Sequence, residues 1–472
     1  MSGDDSTVDD LRTRVRAGLI RLGQASATER IALSLAALAL SIAVGTLLIL
    51  VAGRATTCQT AAFTLTHPTP FGLPRLFSMG FCFDPVQVFD RLFLGALGDP
   101  IQEDWQLLTV GFDPFVFYFD LNPFAADYSP LNAQMAVTLR QTTVLVFTGL
   151  SVAIAFKAGI FNIGSQGQLV VGGLATAVTL LAAEGAVTGA LGQGLGAVLV
   201  LVPLGVLVGA LVGGFYGAIP GALKAYAEAN EVITTIMLNF VATGVVFFLV
   251  SNYFRNPDSQ AVETAPLGSA STFPPLLFEA RDDFSLVALL FGVALMGALY
   301  YLLEYTSFGY DVRTSGIQPE AAEYGGVDAK RTIVSSMTIS GALAGIGGAV
   351  YVMMILGKYQ TGVPAFGFDG ITVSILAGNN PLGVGFAAFL FGTLKSGSTV
   401  VQFATDVPPQ LVAVLRGLII LFVAMPEFFR MIGRRLASVG GRRQDSGVAV
   451  ATDGSGVTAG GEPGGPGGEA DE

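Results

Sequence analysis

Long apolar runs decide what this chain can fold into. Ile31–Ala52, Val137–Phe156, Gly164–Ala183, Gly194–Tyr216, Val232–Tyr253, Phe284–Leu303 and Ile333–Leu356 are almost free of charge. Each is near the roughly 20 residues that carry one helix across a hydrocarbon core about 30 Å thick. Phe368–Asn380 is shorter, the size of a broken or re-entrant helix, and Leu382–Phe403 and Leu411–Met425 close the set. In lipid the backbone must satisfy its own polar groups, which leaves helices or closed barrels. Barrel strands would show alternation over about 10 residues, and these runs do not alternate. Composition agrees: 52% of the 472 residues are hydrophobic and 12% charged, against about 25% charged in soluble domains. The expected fold is an all-α integral membrane protein of about ten transmembrane helices, some broken, with an internal repeat.

Charge placement sets the topology. Arg12, Arg14, Arg16, Arg21 and Arg30 precede the first run, and basic flanks stay on the cytoplasmic side. With that end inside, the loops holding Lys224, then Arg313, Lys330 and Arg331, then Arg430, Arg434 and Arg435 also fall inside. The acidic loops fall outside. Residues 1–30 read as a cytoplasmic segment, 31–436 as the transmembrane domain with an outer loop over 53–130, and 437–472 as an acidic, Gly-rich cytoplasmic tail without apolar periodicity, hence disordered. No basic stripe stands away from the membrane flanks, so nucleic acid is not an expected partner.

Catalytic signals are missing. No phosphate-binding G-x-x-x-x-G-K-[ST] loop occurs, so the chain is not expected to hydrolyse ATP. His67 is the one histidine, and with Cys58 and Cys82 as its neighbours it does not make up a metal-ligand set. No cofactor is expected. If the 53–130 loop lies outside the cell, a Cys58–Cys82 disulfide is permitted; two unpaired thiols are the alternative. The disulfide is the expectation.

Three segments carry polar groups where lipid would penalise them. In Ala158–Leu169, glycines and the amides Asn162, Gln166 and Gln168 interrupt the apolar sequence. Such amides must face protein or a wet cavity. They either line a midplane site at a helix break, as in many transporters, or serve as hydrogen-bonding glue between helices. Gly164-Ser-Gln-Gly167 finds an echo in Gly367-Phe-Asp-Gly370, which contains Asp369; paired Gly-interrupted segments mark an internal repeat. In Ala229–Asn239, Glu231 sits at a helix start, where a carboxylate suits the dipole, and Asn239 lies two turns deeper. In the loop Gly309–Gly326, Pro319 and Gly325 bracket a short helix. Its residues Glu320, Ala321, Ala322, Glu323 and Tyr324 form either a docking knob for another protein or a helix lying in the lipid interface.

At these residues the chain resembles the permease subunits of ABC-type importers for simple sugars and nucleosides, within the larger group that also serves branched-chain amino acids. Gly149–Leu169 is similar to that family's apolar helix leading into an NIG-x-x-GQ turn. Ala229–Asn239 resembles its second signature, Gly309–Ala344 its cytoplasmic loop and following Gly-rich helix, and Gly367–Gly383 its late Asp-Gly segment. The resemblance implies a substrate pathway at Asn162, Gln166 and Gln168, with Asn239 and Asp369 as further members. It implies docking of an ATP-binding subunit on Glu320–Tyr324, a second permease subunit (a paralogue or a second copy), and an extracellular solute-binding protein. The NEVI-x-T-IMLN pattern is closest to the nucleoside members. The segment between Asp99 and Asp127 and the acidic tail depart from the family. An ion-coupled secondary carrier is the competing reading, against which stands the lack of a chain of carboxylates within the spans.

Overall fold

The computed structural model describes residues 27–58, 60–66, 78–100, 109–111, 116–118 and 128–424. Arg12 to Arg21, His67, the arginines from Arg430 onward and the tail lie outside them. The membrane architecture belongs to the compact unit Leu35–Met425.

Eight helices among the described residues are long and apolar enough to cross a membrane, and two shorter apolar helices accompany them. The first, α1 (Ala27–Ala55), is followed by the hairpin of β1 (Phe63–Thr66) with β2 (Ser78–Phe81) and the short helix α2 (Pro85–Phe93). The pair β3 (Thr109–Gly111) and β4 (Val116–Tyr118) comes next. After it stand α3 (Ala133–Lys157), α4 (Ser165–Leu191), α5 (Leu195–Ala227), α6 (Glu231–Leu249) and α7 (Leu286–Tyr305). Two short helices, α8 (Ser307–Ile317) and α9 (Pro319–Tyr324), precede α10 (Ala329–Val350), which continues in a wide π-type turn to Leu356. The set ends with α11 (Phe366–Leu376), α12 (Pro381–Ala404) and α13 (Pro409–Ala424).

The architecture is a two-fold repetition. A long helix, a break, a re-entering helix and two further helices occur as α3 to α6 and again as α10 to α13. The leading helices of the two halves form the centre: the most apolar windows of α3 and of α10 are each 78% buried, whereas those of α4 to α7 are 22–39% buried. They run in opposite senses. Phe147 lies against Gly347, and four residues further along α3, Ser151 meets Ser340.

Glycine sets how closely the helices pack. Gly205, Gly209, Gly213, Gly217 and Gly221 fall on one face of α5 at four-residue spacing, and α10 answers with Gly341 and Gly345. A Cβ at Gly217 would stand 2.5 Å from the Met337 carbonyl oxygen, and one at Gly341 or Gly345 would overlap the α5 backbone. Lipid tails are as apolar as leucine, so helices associate here through close backbone approach and van der Waals contact.

A second core, of Ile49, Phe83, Val88, Leu92, Leu394, Val401, Val412 and Leu415, joins α1, α2, α12 and α13. The stretch expected as an outer loop is thus structured in part. Asp84 caps α2 by accepting from the Val86 amide at 2.8 Å, and α2 buries Pro85, Val88 and Leu92.

Candidate functional site

The helix break Ala158–Gly164 returns the chain from the end of α3 to its interior. Gly159 takes φ +72°, and a Cβ there would stand 2.8 Å from the Gly316 carbonyl oxygen; the left-handed conformation costs glycine little. The N-terminus of α4 therefore starts beside the middle of α10, where Ser165 Oγ lies 3.1 Å from Ser151 Oγ, itself 3.1 Å from Ser340 Oγ. The second half does the same from its own end. After Gly357 the chain re-enters, and α11 crosses the middle of α3, with Gly370 on Thr148 and Val373 on Gly149. The two re-entering helices meet at their first turns. The Gln166 side chain accepts from the Gly367 amide at 2.8 Å and donates to the Pro364 carbonyl at 3.1 Å. The two Gly-flanked echoes of the sequence are in contact.

The amides close a network inside this junction. Asn162 is fully buried and donates to Ser340 Oγ at 2.7 Å and to Gln168 Oε1 at 3.0 Å, while its own oxygen accepts from the Gly164 amide at 3.0 Å. Asn239, on α6, accepts from the Gly167 amide at 2.8 Å and donates to the Ile163 carbonyl at 2.9 Å. The Gly164 and Gly167 amides and the Ile163 carbonyl at the start of α4 are thus satisfied by side chains, as buried groups at a helix end require. Asn162, Gln166, Gln168 and Asn239 converge on one break; Gln166 and Asn239 are each 7% exposed and stand at its margin. Asp369 is in the first turn of α11 but turns away from the amides, to Lys395 Nζ at 2.6 Å. Sequence reasoning passes over Ser151, Ser340 and Lys395, although a lysine within an apolar run is itself a signal.

Away from the junction, α9 projects from the far end of α8. Ala322 is buried, Glu320, Ala321 and Glu323 are exposed, and Tyr324 is 96% exposed. At the opposite end, residues 256–273 lie along 353–361: Thr264 N donates to Tyr359 O at 2.9 Å, Leu267 N to Gly357 O at 2.7 Å, and Thr361 N to Val262 O at 3.1 Å. Lys358 pairs with Glu263 at 2.9 Å. Cys58 and Cys82 are joined by a disulfide, and among the described residues no group of three or more His, Cys, Asp or Glu side chains gathers as for a metal.

Two halves, each with a broken helix whose first turn meets the other's at mid-bundle, define a multi-pass helical permease. The chain belongs to the family described as the permease component of branched-chain amino acid transport systems, whose model matches residues 134–424. It is 32% identical over 328 residues to the nucleoside ABC transporter permease protein NupB of Lactococcus lactis, covering 68% of this chain and 86% of that one. It is 36% identical over 313 residues to the guanosine ABC transporter permease protein NupP of Bacillus subtilis, covering 64% and 84%. The glucose ABC transporter permease protein TsgB13 of Haloferax volcanii is 31% identical over 335 residues, covering 69% and 84%. No solved structure matches the chain significantly.

Proposed function

We propose that this permease is the membrane-spanning subunit of an ATP-driven importer that carries nucleosides by alternating access. The observation that carries this reading is the likeness to NupB and NupP, which runs through more than four fifths of each. The family's description names branched-chain amino acids, but these relatives carry other solutes, so the description does not fix the substrate. Glucose import by TsgB13 favours a second reading, simple sugars.

In this reading the chain has no ATPase site of its own, and a partner ATP-binding subunit docks on the exposed face of α9, with Tyr324 as its anchor. A second permease subunit completes the path, and a solute-binding protein delivers substrate to the side bearing residues 256–273. Both chain ends are cytoplasmic and the disulfide is external. The junction of α4 and α11 is the element that rearranges. Gln166 and Asp369 flank the path, while Asn162, Gln168 and Asn239 act through the backbone they hold.

The test is uptake of labelled guanosine, uridine and glucose by cells expressing the chain with its partner subunits. Guanosine or uridine uptake that needs the ATP-binding subunit, and that Tyr324→Ala reduces at least fivefold at equal membrane abundance, is expected. Uptake driven by an ion gradient without that subunit would overturn the reading; uptake of glucose alone would select the second. At the junction, Gln166→Leu is expected to lower uptake per molecule, whereas Asn162→Leu lowers the amount of folded protein. Unchanged uptake by Gln166→Leu would move the path away from the amides.

A further inference from the structure

The two re-entering parts of the chain meet at depth through Gln166 and Gly367, and they are tied together again at the outer end. About 27 Å beyond Gln166 along α4, at 1.5 Å per residue, Glu184 Oε2 accepts from the Gly268 amide at 3.0 Å. Gly268 ends a strap, residues 262–268, that runs antiparallel to 357–361, with Glu263 facing Gln360. Thr264 N donates to Tyr359 O at 2.9 Å, and Tyr359 N donates to Thr264 Oγ1 at 3.0 Å. Thr361 N donates to Val262 O and Leu267 N to Gly357 O, at 3.1 and 2.7 Å. Past this ladder, Val363 and Pro364 offer their carbonyls to Gln166 Nε2 at 3.4 and 3.1 Å. The contacts close a ring: α4 from Gln166 to Glu184, the strap, the segment 357–364, and Gln166 again.

Two glycines bracket the rungs. Gly357 takes φ +61° and Gly362 φ +86°, and nothing lies within 4 Å of where either Cβ would stand. Glycine turns there at little cost, and hinges are a few residues that absorb backbone rotation. Between them, residues 358–361 are gripped by the strap, with Lys358 paired to Glu263 at 2.9 Å. Thr264 and Tyr359 are buried to 0% and 2% exposure, so the rungs move with the strap. Only Gly362 separates Thr361 from Val363, and consecutive Cα atoms are about 3.8 Å apart. That glycine can swivel, but a translation of the ladder reaches Val363 and Pro364.

We infer that the strap is a lever: it stays paired with 357–361 and, when a solute-binding protein presses on the outer loop, it shifts the Gln166–Gly367 junction. Glu184 and Thr264 are positioning residues for the path, one anchoring the strap to α4 and the other to the re-entering segment. The inference rests on the importer reading, in which the solute-binding protein meets this side. The loop is built to take a load from outside. Pro257, Asp258, Gln260, Ala265 and Pro266 are exposed, whereas Glu263, Thr264 and Leu267, which face the ladder, are buried.

Hydrogen exchange on the purified chain tests the coupling without transport. Thr264→Pro removes a rung's donor, and Glu184→Ala removes the anchor on α4. In each, the Gly367 amide is expected to exchange about tenfold faster than in the parent protein. The amides of Gly213 and Gly341, where α5 packs on α10, should keep the parent rate. Glu184→Gln, which retains an acceptor, should stay within about twofold of the parent at Gly367. Parent rates at Gly367 in both variants would make strap and junction independent, and equal acceleration at Gly213 and Gly341 would make the strap a general brace. Either result overturns the inference.

A lock separates a lever from a latch. The ladder bonds flank Glu263 and Gln360, and such non-hydrogen-bonded pairs have Cα atoms about 4.5 Å apart, within the roughly 4.4–6.8 Å that a disulfide spans. Glu263→Cys with Gln360→Cys, in a chain also carrying Cys58→Ser and Cys82→Ser, therefore holds the ladder shut. The readout is guanosine uptake by proteoliposomes holding the complex with its ATP-binding subunit and solute-binding protein. The locked form should match its reduced form within about twofold. Thr264→Pro and Glu184→Ala should lower uptake about fivefold, with ATP hydrolysis in the absence of the binding protein within about twofold of the parent. Glu184→Gln should restore most of the uptake. Uptake blocked by the lock and recovered on reduction would make the strap a latch that opens, which overturns the lever; unaltered uptake in Thr264→Pro and Glu184→Ala would do the same. If the parent complex takes up neither guanosine nor glucose in dependence on the binding protein, the importer reading fails, and exchange at Gly367 still decides the coupling.

Discussion

Gln166 and Gly367 lie 201 positions apart, yet the glutamine oxygen accepts the glycine's amide hydrogen at 2.8 Å. A Cβ on Gly367 would overlap the Gln166 backbone, so only glycine lets the two first turns come this close. Overpacking a fitted site costs about 1–3 kcal/mol, and this one cannot relax without pulling α11 from α4. Gly367→Ala is expected to lower the melting temperature of the purified protein and to shorten its half-life in detergent. Melting identical to the parent protein would mean that the junction is loose enough to absorb a methyl group.

The glycine stripe allows a prediction in which the same substitution has opposite signs. In an exposed helix Gly→Ala is favourable by up to about 1 kcal/mol. Gly185 and Gly189 on α4 have nothing within 4 Å of the position a Cβ would take, whereas a Cβ at Gly345 would overlap the Gly209 carbonyl. Gly185→Ala should therefore be neutral or stabilising, and Gly345→Ala should destabilise by about 2 kcal/mol or more. Thermal unfolding of the two variants side by side checks this, and equal shifts would count against glycine-set packing of α5 on α10.

Apolar runs fix spans well because length and lack of charge are local properties: the ten expected segments correspond to eight long helices and two shorter ones, of which only Phe368–Asn380 reads as short in the sequence. The Gly164 and Gly367 segments were also legible as echoes, because a break within an apolar run has few purposes. That they touch was not, since contact across 201 positions is a property of two re-entrant paths. The four-residue spacing from Gly205 to Gly221 is present in the sequence but is hidden among many other glycines. Whether the amides face solute or neighbouring helices stayed open, because lipid penalises an unpaired amide whichever partner finally satisfies it.

The Cys58–Cys82 disulfide anchors the end of α1 to β2, where Cys82 N also donates to Gly53 O at 3.0 Å. It closes a loop spanning 24 positions, and cross-links of that size contribute about 3 kcal/mol by restricting the unfolded chain. Cys58→Ser and Cys82→Ser should each lower the melting temperature, and the double variant should add little to either. A reductant should shift the parent protein and leave the variants unmoved. Both thiols alkylating freely in non-reduced protein would remove the bond itself.

The ladder of residues 256–273 on 353–361 should loosen in acid. Glu263 is buried and held below the ordinary glutamate range first by its hydrogen bond to Lys358, then by one from Ser259 and by the lysine's charge, with burial opposing. Its proton affinity is thus lower in the folded protein than in the unfolded chain. Such a group contributes stability that is complete above its unfolded value, about 4.3 for glutamate. That contribution is lost as the pH falls through the folded value. The ladder should therefore be insensitive to pH between 6 and 8 and weaken below about 4.3. Hydrogen exchange at Thr264, Leu267 and Thr361, whose amides bond across the ladder, reads this directly once intrinsic rates are corrected. Protection should drop in the acid range for the parent protein. In Lys358→Met it should already be reduced at neutral pH, with a smaller acid response, because the group that depresses Glu263 is gone. Protection unchanged down to pH 3.5, or an acid response of equal size in Lys358→Met, would separate the ladder from this ion pair.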